Sequence, residues 1–141
     1  MNQLYRTMNE LERRVIEIVA GALDRPPDEV GLSASLIDDL GAESIDFLDI
    51  RYRVETAFRI KVADEEIWSG ELRLEESGLL EGNGVSPEGL RLLREALPDF
   101  RWERFPKGVA KADLPRLITV STIVQYLRRR LGQDGRTGDE V

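Results

Sequence analysis

The sequence predicts an all-α protein, a bundle of short helices within one chain of 141 residues. Three observations carry that expectation. Apolar residues recur at steps of three and four in several separate segments, which is the spacing of one helix face. Capping residues and prolines punctuate those segments. The one alternating stretch, Ile60-Lys61-Val62, is too short to be read as a strand.

The first helix opens at Thr7-Met8-Asn9-Glu10, which fits a capping box in which the Thr7 hydroxyl and Glu10 carboxylate satisfy reciprocal backbone donors. Met8, Leu11, Val15, Ile18 and Ala22 then form its apolar face. Pro26-Pro27 ends it, because the chain before a proline is pushed out of the helical region. A long loop follows, with Val30, Leu32, Leu36, Ile37 and Leu40 as apolar anchors. The second helix is expected from Ser44 to Phe58 and carries two stripes, Phe47, Ile50, Val54 and Phe58 on one side and Ile45, Leu48 and Tyr52 on another. A core-facing helix needs only one. Either this helix packs on two sides, or the second stripe meets a partner or ligand.

Asp64 is a good N-cap for a short turn to Trp68. Ser86-Pro87 opens a further helix, with serine as cap and proline at the first helical position. It has Leu90, Leu93 and Leu97 on its face and is closed by Pro98. The last helix begins at Thr119 or Val120 and buries Val120, Ile123, Val124, Leu127 and Leu131. Arg128, Arg129 and Arg130 sit where positive charge suits the helix dipole, a solvated helix end, and Gly132 is a natural stop. The polar tail 133–141 is expected to fray.

Composition narrows the function. With 41% hydrophobic and 33% charged residues the chain is globular in character and long enough to bury a core. Cysteine and histidine are both absent, which excludes thiolate chemistry, disulfides, zinc fingers and any Ser–His–Asp triad. A net charge of −7 argues against nucleic acid as a partner. That charge belongs to the first half, where residues 1–68 hold 15 acidic and 8 basic side chains. No segment has the apolar length of a membrane span and the N-terminus lacks a signal-peptide pattern, so a cytoplasmic protein is expected.

The stretch richest in chemistry is Asp39-Leu40-Gly41-Ala42-Glu43-Ser44-Ile45-Asp46. Gly41 permits a tight turn. Ser44 falls at a helix start, where free N–H groups and the helix dipole favour a phosphate. Ser44 is therefore well placed to hold a phosphodiester, and equally well placed to be a plain N-cap serine. It is not equipped as a catalytic nucleophile, since no histidine exists to activate it and the nearest lysine in sequence is Lys61.

This stretch resembles the acyl carrier protein signature, in which an acidic-Leu-Gly-x-acidic-Ser-Leu-Asp run precedes the second helix. The resemblance extends to the first helix, to Ser35-Leu36-Ile37-Asp38, to Val54-Glu55-Thr56-Ala57-Phe58, to the entry of a short third helix at residues 60–67, and to a fourth helix after Leu117-Ile118-Thr119-Val120. It covers roughly residues 8–68 and 117–132. It implies an acyl-carrier-type four-helix bundle, with residues 69–116 as a helix-containing insertion between helices 3 and 4 of a single domain 1–141. It implies that Ser44 receives 4′-phosphopantetheine from coenzyme A, with Asp39, Leu40, Gly41 and Glu43 forming the attachment motif around it. The missing thiol would then come from the prosthetic group. In the family, positions matching Ile45, Leu48 and Tyr52 face partner enzymes. The acidic Glu43, Asp46, Asp49 and Glu55 match the pattern that steers basic partners. The implied partners are a phosphopantetheinyl transferase and enzymes that activate, modify or transfer the acyl group. The protein would be a monomer with no catalysis of its own.

Three departures are expected to matter. Arg51 and Arg53 stand where typical fatty-acid carriers have apolar or small residues, and Thr56 and Ala57 replace two common acidic positions. The 69–116 segment brings Phe100, Trp102 and Phe105, with Trp68 at its entry. These aromatics either pin the segment to the bundle, through Leu90, Leu93 and Leu97 as well, or reshape the acyl pocket or a docking surface. The expected role is a specialised carrier for a lipid, lipopolysaccharide or secondary-metabolite route. The alternative is a helical adaptor that keeps the fold and is never modified.

Overall fold

The computed structural model describes residues 9–63, 66–69, 79–98 and 100–133. Helix α1 spans Glu10–Leu23, α2 Ser44–Phe58, α3 Glu66–Ser69, α4 Pro87–Ala96 and α5 Val120–Gln133. Short 3₁₀ turns lie at Pro27–Glu29, Trp102–Arg104 and Lys111–Leu117. The predominantly helical architecture is that of the expected fold class. One element went unforeseen. Leu80–Glu81 (β1) and Gly84–Val85 (β2) pair antiparallel across the Gly82-Asn83 turn, where Gly82 takes a positive φ of 61°. Two-residue strands leave no alternation to detect.

Helix α1 starts at a different cap from the one its sequence suggests. Asn9 is the N-cap; its side chain accepts from the Glu12 N–H at 2.8 Å, and the Glu12 carboxylate accepts from the Asn9 N–H at 3.1 Å. The capping box is therefore Asn9/Glu12, two residues beyond Thr7/Glu10; Thr7 and Met8 lie outside the described residues, as does the Asp64 cap. Val15, Ile16, Val19 and Ala20 are buried, and Leu11, Ile18 and Ala22 only flank the core. The buried face is thus turned one residue from the predicted stripe.

The bundle core joins α1 to Ile50, Val54 and Phe58 of α2, Ile67 of α3, and Val120, Ile123, Val124, Leu127 and Leu131 of α5. Loop residues Val30, Leu36, Leu40, Ile60 and Val62 complete it. Gly132 does not stop α5, which continues through Gln133. The arginines at its end are not merely solvated. Arg130 pairs with Glu66 at 3.2 Å and Arg128 with Glu12 at 3.3 Å. Tyr126, buried on the same helix, donates its hydroxyl to Glu66 and accepts from Arg130. Burial and the Glu66 carboxylate push the Tyr126 phenol up to about 12. The Tyr126 hydrogen bond and the Arg130 charge hold Glu66 below its ordinary value. Helix α3 is a single turn, and this tie to α5 adds to the burial of its Ile67 in the core.

Between α3 and α5 a second apolar cluster forms. Leu93, Phe100, Phe105, Val109 and Leu117 are buried in it, flanked by Leu79, Val85, Leu90, Leu97 and Trp102. Helix α4 has Ser86 as its N-cap, accepting from the Gly89 N–H at 3.0 Å, with Pro87 at its first position. Its leucines do not pack on the bundle as expected; they close this separate cluster. The Phe100 and Phe105 rings stack at 6.0 Å, and the Phe100 and Trp102 rings lie 5.0 Å apart. Trp102 is only half-buried and donates its indole N–H to the Leu97 carbonyl at 3.0 Å.

Candidate functional site

The site is built where the long loop turns into α2. The Asp39 and Leu40 N–H groups both donate to the Ser35 carbonyl, Gly41 N–H to Ile37 and Ala42 N–H to Leu36. Gly41 sits at φ +71°, a left-handed conformation that costs glycine little and other residues more. Leu40 and Ala42 are buried anchors, so the backbone emerges at Glu43 in a fixed direction.

Glu43 is extended (φ −111°, ψ 172°) and is the N-cap of α2; its N–H donates to the Asp46 carboxylate at 2.8 Å. Ser44 is consequently the first helical residue and not the cap. It is exposed, and its hydroxyl makes no hydrogen bond among the described residues. The N–H groups of Ser44 and Ile45 are likewise open, while those of Asp46 and Phe47 bond back to the Glu43 carbonyl. A hydroxyl without a capping duty therefore stands beside two unsatisfied amides at the positive end of a 15-residue helix. Open amides at such a helix start favour an anionic group in general.

The two stripes of α2 separate cleanly. Ile50, Val54 and Phe58 are buried, and half-buried Phe47 meets Trp68 edge-to-face at 5.0 Å. Ile45, Leu48 and Tyr52 are 70%, 59% and 66% exposed, the large apolar side chains left in solvent among the described residues. The helix is not packed on two sides. The acidic set is partly committed within the chain. Asp46 serves the cap, Asp49 accepts from Arg53 at 3.0 Å, and Glu55 accepts from the Val62 N–H at 2.8 Å. Arg53 also lies over α1, where a Cβ on Gly21 would come within 2.8 Å of its Nη1.

One group of residues near the motif was not anticipated. Arg104 and Arg116 reach from the 79–117 region to the turn before Ser44. Arg104 Nη2 donates to Asp39 Oδ1 at 2.6 Å and Nη1 to Asp38 Oδ2 at 3.3 Å; Arg116 Nε donates to Asp38 Oδ1 at 3.0 Å. Burial alone would raise the Asp39 carboxyl, but Arg104, the Ser35 N–H and the nearby Arg101 charge hold it below its ordinary value. Nothing in sequence spacing pairs residues more than sixty positions apart, and arginine among scattered charges gives no periodic signal.

A helical bundle that presents an exposed serine at the open start of α2 fits the acyl-carrier resemblance of the sequence. Comparison with known proteins agrees. The family model described as "Phosphopantetheine attachment site" matches residues 13–72. The acyl carrier protein of Petrotoga mobilis is 39% identical over 61 residues, covering 43% of this chain and 72% of that protein. The chain belongs to the acyl carrier protein family. It is accordingly a phosphopantetheine-bearing acyl carrier without catalytic activity of its own, which works with a phosphopantetheinyl transferase and acyl-handling enzymes. Among the described residues no helix is long and apolar enough to cross a membrane.

Proposed function

We propose that Ser44 is the attachment residue and that the protein carries its acyl group, as a thioester on 4′-phosphopantetheine, to dedicated enzymes of a specialised pathway. The observation that supports this most is the release of Ser44 from capping: Glu43 and Asp46 close the helix start between them and leave the serine hydroxyl exposed. Ser44 Oγ would attack the coenzyme A phosphorus that bears the pantetheine arm, forming the phosphodiester as the pyrophosphate bond breaks and 3′,5′-adenosine bisphosphate leaves. No base is hydrogen-bonded to it among the described residues, so the transferase must take its proton. Ile45, Leu48 and Tyr52 would form the apolar centre of the partner surface, and Glu43, with the outer oxygens of Asp46, Asp49 and Glu55, its acidic rim. The motif residues Asp39, Leu40 and Gly41 set the turn that presents Ser44.

The specialised character rests on the mixed charge of α2. Arg53 already occupies Asp49, and Arg51 adds a second cation on the same helix. General fatty-acid synthase enzymes with basic docking patches would find a weakened field.

The test is incubation with coenzyme A and phosphopantetheinyl transferases of broad specificity, read by intact mass. One prosthetic group is expected on the wild type and none on Ser44→Ala. Wild-type protein that stays unmodified with several transferases would instead favour the adaptor that is never loaded.

A further inference from the structure

The segment between α3 and α5 ends up against the attachment turn, and it does so through a connected chain of contacts. Its own apolar cluster fixes Phe100 and Phe105. The Arg116 guanidinium lies 4.5 Å from the Phe105 ring centre and that of Arg104 6.0 Å from the Phe100 ring centre, within cation–π range. Held there, the two arginines engage Asp38 and Asp39 at three oxygen atoms. The backbone follows the same route. Ser35 Oγ donates to the Arg116 carbonyl at 2.8 Å, and the Leu36 N–H donates to the Ile118 carbonyl at 3.0 Å. Ser35 N–H in turn donates to Asp39 Oδ2 at 2.8 Å, so the Asp39 carboxylate is shared between the turn's own backbone and Arg104.

Asp38 and Arg104 are the more enclosed members of this network, and the Asp39 and Arg116 side chains are 31% and 36% exposed. The Asp38 side chain is 15% exposed and that of Arg104 21%. Asp38 meets two guanidinium groups, and networks with limited exposure hold geometry where isolated exposed pairs do not. Asp39 lies five residues before Ser44, and the intervening backbone is a closed turn with one glycine hinge at Gly41.

We propose that Arg104 and Arg116 are positioning residues for the loading of Ser44: they clamp the Asp38–Asp39 corner so that the turn presents Ser44 in the one orientation the transferase accepts. This rests on Ser44 being the attachment residue. The clamp makes modification depend on a part of the chain distant in sequence from the motif, and it removes two carboxylates from the field that partners sense.

The experiment compares wild type, R104Q/R116Q and R104K/R116K as carrier substrates of one phosphopantetheinyl transferase with coenzyme A. Steady-state kcat and KM, helix content by circular dichroism, and amide exchange at Leu40, Gly41 and Ala42 are measured on each. R104Q/R116Q is expected to lose about tenfold or more in kcat/KM, mainly through a lowered kcat, as misplacement of a reacting group does. Its helix content stays at the wild-type level, its Leu40–Ala42 amides exchange faster, and R104K/R116K recovers most of the loss. A kcat/KM for R104Q/R116Q within about twofold of wild type, too small for a misplaced nucleophile, overturns the proposal. So does an equal loss in the lysine variant. If R104Q/R116Q loses helix content, single R104Q is judged by the same criteria. Wild-type protein that takes no group sinks the attachment reading and this one with it; modified wild type matched by R104Q/R116Q sinks this one alone.

Discussion

Serine outranks glutamate as an N-cap, so Ser44 in the cap position was the natural alternative to a modified residue. What displaces it is Asp46, placed to accept from the Glu43 N–H. The acidic residues of the motif thus have a local task as well as any partner-steering one. Asp39 shows the same double use, and its titration gives a test at this scale. Its folded-state value is depressed below the ordinary 3.8, so it contributes stability that is fully present above that pH and is lost as pH falls through the depressed value. The difference in unfolding free energy between wild type and Arg104→Gln should therefore be constant near neutrality and shrink as pH drops below 3.8. A difference that grows in acid would show that the pair does not hold the Asp39 carboxylate ionised.

The elements were legible where one helix face met one core. Helix α2 runs from Ser44 to Phe58, as its two stripes and flanking signals predict, and α5 buries the five residues its periodicity names. Helix α4 was equally legible as a helix, yet not in its packing, because an amphipathic pattern says that a face is buried and not against what. Leu93 closes the second cluster with Phe100 and Phe105, and the hairpin that covers it is too short to leave a pattern. The aromatics of this cluster therefore differ in what they contribute. Phe105→Ala should cost about 3–5 kcal/mol, because the ring is buried and leaves a cavity. Trp102→Ala should cost only about 2 kcal/mol, the loss of partial burial and one N–H bond to Leu97. Denaturant unfolding of both variants checks the order; a larger loss for Trp102→Ala would contradict the cluster as described.

At the scale of the molecule, residues distant in sequence combine to set the charge around Ser44, which is why the sequence could show the motif but not its surroundings. Arg104 and Arg116 neutralise Asp38 and Asp39, and Arg53 neutralises Asp49. The acidic first half therefore projects a weaker field at this end than its composition suggests. Replacing Arg51 by Val and Arg53 by Ala should raise loading by a general fatty-acid transacylase on the order of tenfold at low salt, with the gain shrinking as salt screens it. Efficient use of the unaltered carrier by such an enzyme would contradict the specialised reading. The central claim, that Ser44 bears the prosthetic group, is tested most directly on protein isolated from its own host with its acyl group intact. Fragmentation mass spectrometry of the peptide containing Ser44 should locate one phosphopantetheinyl group on that serine, with the acyl group on its thiol. A Ser44 peptide found wholly unmodified, or a prosthetic group located on another residue, would contradict it.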